Sequence, residues 1–237
     1  MPDKPHELII LCGGAGSRLR SILPDIPKLL APIDNKTFLD FLLTFFRSQG
    51  IDRFLFCTGH LGFKIKEYML VNYPDVKAFF IQEETALGTG GALLHALPYS
   101  TQEQILVTNG DTLHLTNLNT IWEKHLSVNA VCTLQSAYVP DVSRYGTITW
   151  NEDDRVVGFR EKRMSGAGWI NAGTYMVNKE KLLNKKLPVQ FSFENDYLPD
   201  LVTDKSLWVN RQEGYFLDIG IPADFERAQI EIPAYVK

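Results

Sequence analysis

The 237-residue chain is short of cysteine, of long apolar runs and of any excess of positive charge. Its three cysteines, Cys12, Cys57 and Cys132, are odd in number and fit neither a zinc pattern nor a CxxC pair. Cys12 and Cys57 each close an apolar run, so they read as small buried hydrophobes in a reducing compartment. No apolar stretch approaches the ~20 residues that a membrane-spanning helix needs. The first seven residues are polar and hold two prolines, a pattern of neither a signal nor a transit peptide. The expectation is a cytoplasmic protein. With 24 Lys and Arg against 28 Asp and Glu, the net charge is −4. Such a chain has no general field to attract nucleic acid or an anionic membrane. A phosphate-handling site remains open to it, because the cations it needs are local.

Apolar residues make up 45% of the chain and charged residues 22%, enough for a well-buried core. Strand and helix signals alternate through the first half. Leu8 to Cys12 is a continuous apolar run that ends at glycines, as a buried strand does. Thr37 to Ser48 reads as a helix, with a Thr-x-x-Asp cap at Thr37 and Asp40 and with Gly50 just past its end. Its phenylalanines Phe38, Phe41, Phe45 and Phe46 lie at helical spacing and belong in a core. Strands are expected at 54–57, 76–81, 104–108 and 130–138. Helices are expected at 62–70, 89–97 and 116–127. This rhythm specifies an α/β fold, Rossmann-like, with a mostly parallel mixed sheet flanked by helices. Ligands in such sheets bind beyond the carboxyl ends of the strands.

The second half is richer in β signals. Residues 145–150 and 155–159 flank the polar turn at 151–154 and read as a hairpin. A strand is expected at 169–177, a helix at 192–202 despite Pro199, and a last helix from Pro222. The economical organisation is one domain over 1–237. Within it, about 8–135 would bind a nucleotide, and 136–237 would supply a small β-rich sugar-binding part and the C-terminal helix.

The strongest local signal follows the first strand. Gly13, Gly14 and Gly16 make a loop whose N–H groups can approach a polyphosphate closely. Ser17 and Arg18 follow, then Pro27 and Lys28. Arg18 can clamp phosphate oxygens with several donors, and Lys28 adds a compact charge. A Walker A loop would need Gly-Lys-Ser/Thr at its end, and none is present. A dinucleotide fingerprint would need Gly or Ala where Leu19 stands. An NAD-dependent dehydrogenase is therefore disfavoured. Two aspartates, Asp111 after Asn109-Gly110 and Asp218 before Ile219-Gly220, offer hard oxygen ligands at strand ends. An Asx turn would explain either one alone. Gly88, Thr89, Gly90 and Gly91 remove bulk where a base could lie against backbone, and Thr89 also reads as a helix cap. The five histidines, His6, His60, His95, His114 and His125, show no metal spacing.

In order and spacing these motifs resemble the sugar-1-phosphate nucleotidyltransferase family over about residues 8–225. Its G-G-x-G-[ST]-R-L signature and Pro-Lys pair are met in full. The resemblance implies the nucleotide-diphospho-sugar transferase fold. It also implies Mg²⁺ on Asp111 and Asp218, with Arg18, Lys28, Asp111 and Lys162 as catalytic residues. It places the nucleotide against Leu11, Gly13, Gly14, Gly16, Ser17, Arg18, Lys28, Glu83, Gly88, Thr89, Gly90, Asn109 and Gly110. It places the sugar phosphate against Asp111, Tyr145, Gly146, Glu161, Lys162, Asn171 and Gly173. Residues 11–28, 31–33, 144–147, 191–194 and 216–222 look narrower still, like the bacterial D-glycero-D-manno-heptose 1-phosphate guanylyltransferases. The substrates so implied are GTP and a sugar 1-phosphate, for surface polysaccharide synthesis, and a homodimer is compatible. Leu29 departs from the Pro that many members carry there. Within the class, mannose 1-phosphate with GTP, or glucose 1-phosphate with UTP or dTTP, remain alternatives. A non-catalytic nucleotide-sugar sensor on the same fold is the alternative of another class.

Overall fold

The computed structural model describes residues 4–14, 18–19, 22–160 and 165–236. The chain begins with β1 (Glu7–Leu11), and a 3₁₀ turn follows at Lys28–Leu30. A two-residue hairpin, β2 (Pro32–Ile33) and β3 (Lys36–Thr37), leads into α1 (Phe38–Ser48). Then come β4 (Arg53–Thr58), α2 (Gly62–Asn72), β5 (Lys77–Gln82), α3 (Gly88–Ala96), β6 (Gln104–Asn109), β7 (Thr112–His114), α4 (Leu118–Ser127) and β8 (Cys132–Val139). The second half supplies the hairpin β9 (Thr147–Trp150) and β10 (Val156–Arg160), then β11 (Gly168–Asn178) and α5 (Lys179–Leu183). One π turn at Phe193–Tyr197 precedes α6 (Leu198–Thr203), followed by β12 (Leu207–Arg211), β13 (Phe216–Asp218) and α7 (Pro222–Tyr235).

Seven strands form the central sheet in the order β12-β8-β11-β6-β1-β4-β5. β11 runs antiparallel to both β8 and β6, and the other four pairings are parallel. The sheet is therefore mostly parallel and mixed. β1 shows why a continuous apolar run was needed. Leu8 and Ile10 enter the core on the face covered by α1, α2, α4 and α7, whereas Ile9 and Leu11 enter the core under α3 and α6. A strand buried on both faces has no polar side to alternate with.

The expected helix at 37–48 forms with its cap as read. Thr37 N–H donates to Asp40 Oδ2 at 2.6 Å, closing a capping box. The four phenylalanines of that helix are buried. Pro199 is accommodated in the first turn of α6, where its missing N–H costs nothing. Elements beyond the sequence reading are β12, which closes the sheet edge, and the short β2, β3, β7 and α5.

Parallel β1 and β6 end side by side, with Leu11 paired to Asn109. Gly110 N–H donates to the Leu11 carbonyl at 2.9 Å. The two glycine turns thus meet at the carboxyl edge of the sheet. A second, two-stranded ladder stands beyond that edge: β13 pairs with β7, with Asp218 opposite Thr112.

Candidate active site

A cleft of about 520 Å³ opens at this edge. Its walls include Leu11, Gly13, Gly14, Glu83, Gly88 and Thr89, and Lys28, Asn109, Gly110 and Asp111 stand at one end. The size suits a small organic ligand. Most nucleotide-side residues expected from the sequence are brought together here. Arg18 is exposed, on the turn that precedes Leu19. Gly16, Ser17, Glu161 and Lys162 lie outside the described residues.

The cleft end is charged. Lys28 Nζ donates to Asp111 Oδ2 at 2.6 Å. Asp218 lies alongside, because β13 pairs with β7 and Ile219 N–H donates to the Asp111 carbonyl at 2.9 Å. Gly220 N–H holds Asp218 Oδ1 at 2.6 Å. Burial raises the Asp218 carboxyl above the usual carboxylate range, and the charge of Asp111 raises it further. The Gly220 N–H, Lys28 and Arg144 oppose that rise without cancelling it. Two carboxylates therefore repel each other in a partly desolvated place where the cations present do not suffice.

Arg144 and Asp224 belong to this centre and carried no role in the sequence reading. The Arg144 guanidinium pairs with Asp224, lies 3.8 Å from Asp218 Oδ2 and stacks over the Tyr145 ring at 5.0 Å. Arg227 pairs with the other Asp224 oxygen at 2.9 Å. Arg144 does lie in the 144–147 segment that resembles the heptose 1-phosphate guanylyltransferases. Asp224 gave no signal beyond an acidic residue in the first turn of a helix, where the dipole favours it. Tyr145 packs edge-on against Phe216 at 5.7 Å, and Gly146 follows at φ +75°.

Two of the sugar-side residues, Asn171 and Gly173, lie on β11. Its register against β8 shifts between Asn171 and Tyr175, and Gly173 sits there at φ +70°. A side chain at Gly173 would be strained by that φ and would press on Asn109 Nδ2 and Thr112 Oγ1, each 3.0 Å from its Cβ. The bulge thus seats β11 against the Asn109-Gly110-Asp111 turn. Asn109 Oδ1 is buried there with no hydrogen-bond partner among the described residues. Leaving such an atom unmet costs about 1–3 kcal/mol, which a ligand donor would recover.

Glu83 lines the cleft, and its Oε2 accepts the Leu87 N–H at 2.9 Å. One of its oxygens is thus committed to shaping the loop before α3. Cys132 is buried; of the two cysteines expected to be so, Cys57 is too, but Cys12 is only half-buried and borders the cleft. Burial, then the Glu83 charge, pushes its thiol far up, so it is no nucleophile at neutral pH. Among the described residues no group of three His, Cys, Asp or Glu side chains could hold a metal. Two carboxylates are what this site offers.

The nucleotidyl transferase family model matches residues 7–234. D-glycero-alpha-D-manno-heptose 1-phosphate guanylyltransferase of Aneurinibacillus thermoaerophilus is 39% identical over 97% of this chain and 100% of its own. The enzyme of the same name from Campylobacter jejuni is 35% identical over 92% of this chain and 96% of its own. The crystal structure of HddC from Yersinia pseudotuberculosis superposes with a TM-score of 0.86 at 33% identity, covering 95% of this chain and 98% of that one. The same protein has been solved complexed with GMP-PN.

Proposed function

Because the chain belongs to the nucleotidyl transferase family, we propose that it joins D-glycero-α-D-manno-heptose 1-phosphate to the guanylyl group of GTP and releases pyrophosphate. The observation that carries this reading is the end-to-end match to two heptose 1-phosphate guanylyltransferases, together with a glycine-walled cleft ending at Lys28, Asp111 and Asp218. The HddC complex with GMP-PN supports a guanine nucleotide as one substrate.

The chemistry is an in-line displacement. A phosphate oxygen of the sugar 1-phosphate forms a bond to the α-phosphorus of GTP, and the bridge to the β-phosphate breaks. The attacking oxygen is already anionic, so no general base is required. Catalysis is then positioning and charge neutralisation. Lys28, oriented by Asp111, presents an ammonium where charge builds on pyrophosphate, and Arg18 serves the same leaving group. Thr89 and Gly88 bound the nucleotide side, whereas Gly90, expected there from the sequence, is buried under the Phe191 ring. Asn171, Gly173, Tyr145 and Gly146 bound the sugar side, with Glu161 and Lys162 assigned there from the family motif.

Mg²⁺ fits the donors present. Asp111 and Asp218 are hard oxygen ligands on adjoining strand ends, and the raised Asp218 carboxyl marks a site short of positive charge. These two residues would hold the ion, which when bound would neutralise charge on the phosphate oxygens.

The test is pyrophosphate release across a grid of four nucleoside triphosphates and several sugar 1-phosphates. Release confined to GTP with the heptose 1-phosphate is expected. Release with mannose 1-phosphate or with UTP instead would keep the chemistry and overturn the substrates. No release from folded protein with any pair would favour a sensor.

A further inference from the structure

The segment from Phe191 to Glu194 lies on the glycine-rich start of α3. Gly90 N–H donates to the Phe191 carbonyl at 3.0 Å, and a Cβ at Gly90 would stand 2.1 Å from the Phe191 ring. Thr89 Oγ1 accepts Phe193 N–H at 2.8 Å and donates to Glu194 Oε2 at 2.6 Å. The other carboxylate oxygen, Oε1, accepts from the Tyr175 hydroxyl at 3.5 Å. That hydroxyl in turn accepts from Asn171 Nδ2 at 2.8 Å, and Asn171 Oδ1 accepts Gly173 N–H at 3.0 Å.

The directions in this chain are fixed by proton count. A hydroxyl has one proton to give, and Thr89 and Tyr175 both give theirs to Glu194. Burial, then the Glu194 charge, raises the Tyr175 phenol far above its ordinary value, so it keeps that proton. Among the described residues Glu194 makes no ion pair, so its charge acts on these hydroxyls and on that of Ser192, which donates to Oε2 at 3.4 Å. One end of the chain is a residue of the nucleotide side, and the other is a residue of the sugar side.

We propose that Glu194 is a positioning residue that couples the two substrate subsites, setting the Thr89 hydroxyl and, through Tyr175, the Asn171 amide. The proposal rests on the guanylyltransferase reading, which places the nucleotide at Thr89 and the sugar at Asn171. A nucleotide that fixes Thr89 fixes the acceptor that orients Tyr175, and the Asn171 amide then meets its sugar already aligned. Coupling of this kind is reciprocal: the nucleotide tightens the sugar by the same factor as the sugar tightens the nucleotide.

Two substitutions break the chain without emptying space. Glu194→Gln keeps the shape but supplies one acceptor and one donor group, so one of the two hydroxyls must reverse. Tyr175→Phe removes only the hydroxyl and keeps the ring packed edge-on against Phe193 at 5.0 Å. Calorimetry measures the Kd of D-glycero-α-D-manno-heptose 1-phosphate with and without a saturating GTP analogue imido-bridged between the α- and β-phosphorus. The expected wild-type ratio is about 5–150-fold, falling to within about twofold of unity in both variants. A merely structural role would weaken each ligand alone and leave the ratio standing. Retention of the ratio in either variant, or its absence from the wild type, overturns the proposal. If the heptose phosphate neither binds nor supports pyrophosphate release, the substrate assignment has failed instead. The ratio is then read with the sugar 1-phosphate that does turn over, and the same outcomes apply.

Discussion

Lys28 reaches its place through its neighbours. Pro27 leads into the 3₁₀ turn, Leu29 is buried beneath it, and the ammonium lands 2.6 Å from Asp111. Lys28→Ala should lower turnover by roughly 10² or more, the usual effect of removing one donor from a developing oxyanion. A steady-state assay of pyrophosphate release decides it, and near-normal turnover would remove Lys28 from the mechanism. His114, on the next strand beyond Asp111, makes a different prediction. Both its ring nitrogens are buried without a partner among the described residues, and its edge lies against Phe216 at 5.9 Å. Burial lowers its pKa from 6.5 to about 4. The unfolded chain therefore takes up a proton below pH 6.5 that the native state refuses until about pH 4. This residue's share of stability is complete above pH 6.5 and is lost as pH falls towards 4. At pH 5 the loss is about 2 kcal/mol. His114→Leu should abolish that share, so its unfolding free energy should fall by about 2 kcal/mol less than the wild type's between pH 7.5 and pH 5. His125, likewise lowered to about 4 by burial and then by Lys181, keeps part of the acid sensitivity in place. Parallel pH curves for the two proteins would show that His114 carries no such linkage.

At the scale of the element, α1 does more than fill the core. The acidic partner in its capping box, Asp40, is buried and accepts from Thr37 N–H, from Tyr68 OH and, at 2.6 Å, from Tyr73 OH. The first α1 amide, Phe38 N–H, donates to the Ala31 carbonyl at 2.9 Å, which ties the helix start to the segment that bears Lys28. Asp40→Ala would lose the carboxylate half of the capping box and leave two phenols without their acceptor, a cost of about 2–3 kcal/mol. Urea unfolding at neutral pH measures it, and a change under 1 kcal/mol would show that water replaces the carboxylate. This helix was fully legible in the sequence, because its cap, its apolar spacing and its glycine stop are all local. The same holds for the glycine loop after β1 and for the aspartate after β6. β12 was not legible: only Leu207 and Val209 of its five residues enter the core, and what makes it a strand is pairing with β8, over 70 positions away. Nor could spacing announce that Arg144 would meet Asp224, or that Glu194 would meet Thr89 across 105 positions. Long-range ion pairs and hydroxyl chains leave no period in a sequence.

At the scale of the whole molecule, the two halves of the chain are interleaved. β11 from the second half is inserted between β6 and β8 from the first, and β12 covers the outer side of β8. Residues 4–139 alone would therefore expose the ladder edge of β6 and both edges of β8, with no strand between them. They would also lose Tyr175, Met176 and Val177, which contribute to the cores on both faces of the sheet. Fully burying each such side chain is worth about 1.5–3 kcal/mol, so these three alone, before α6 and α7 are counted, are comparable with the stability of an ordinary domain, about 5–15 kcal/mol. A fragment ending at Val139 should consequently be unfolded or aggregated, and the entire chain should unfold in a single transition. Far-ultraviolet dichroism of the fragment, and coincidence of dichroism with tryptophan fluorescence in the intact protein, test both halves of the prediction. All four tryptophans, Trp122, Trp150, Trp169 and Trp208, are placed to report, the first in α4 and the others in or beside the inserted strands. A cooperatively folded fragment would mean that β6 and β8 can pair directly once β11 is gone. The insertion would then be a later elaboration of a self-sufficient half, and the cleft's sugar wall would be a separable part.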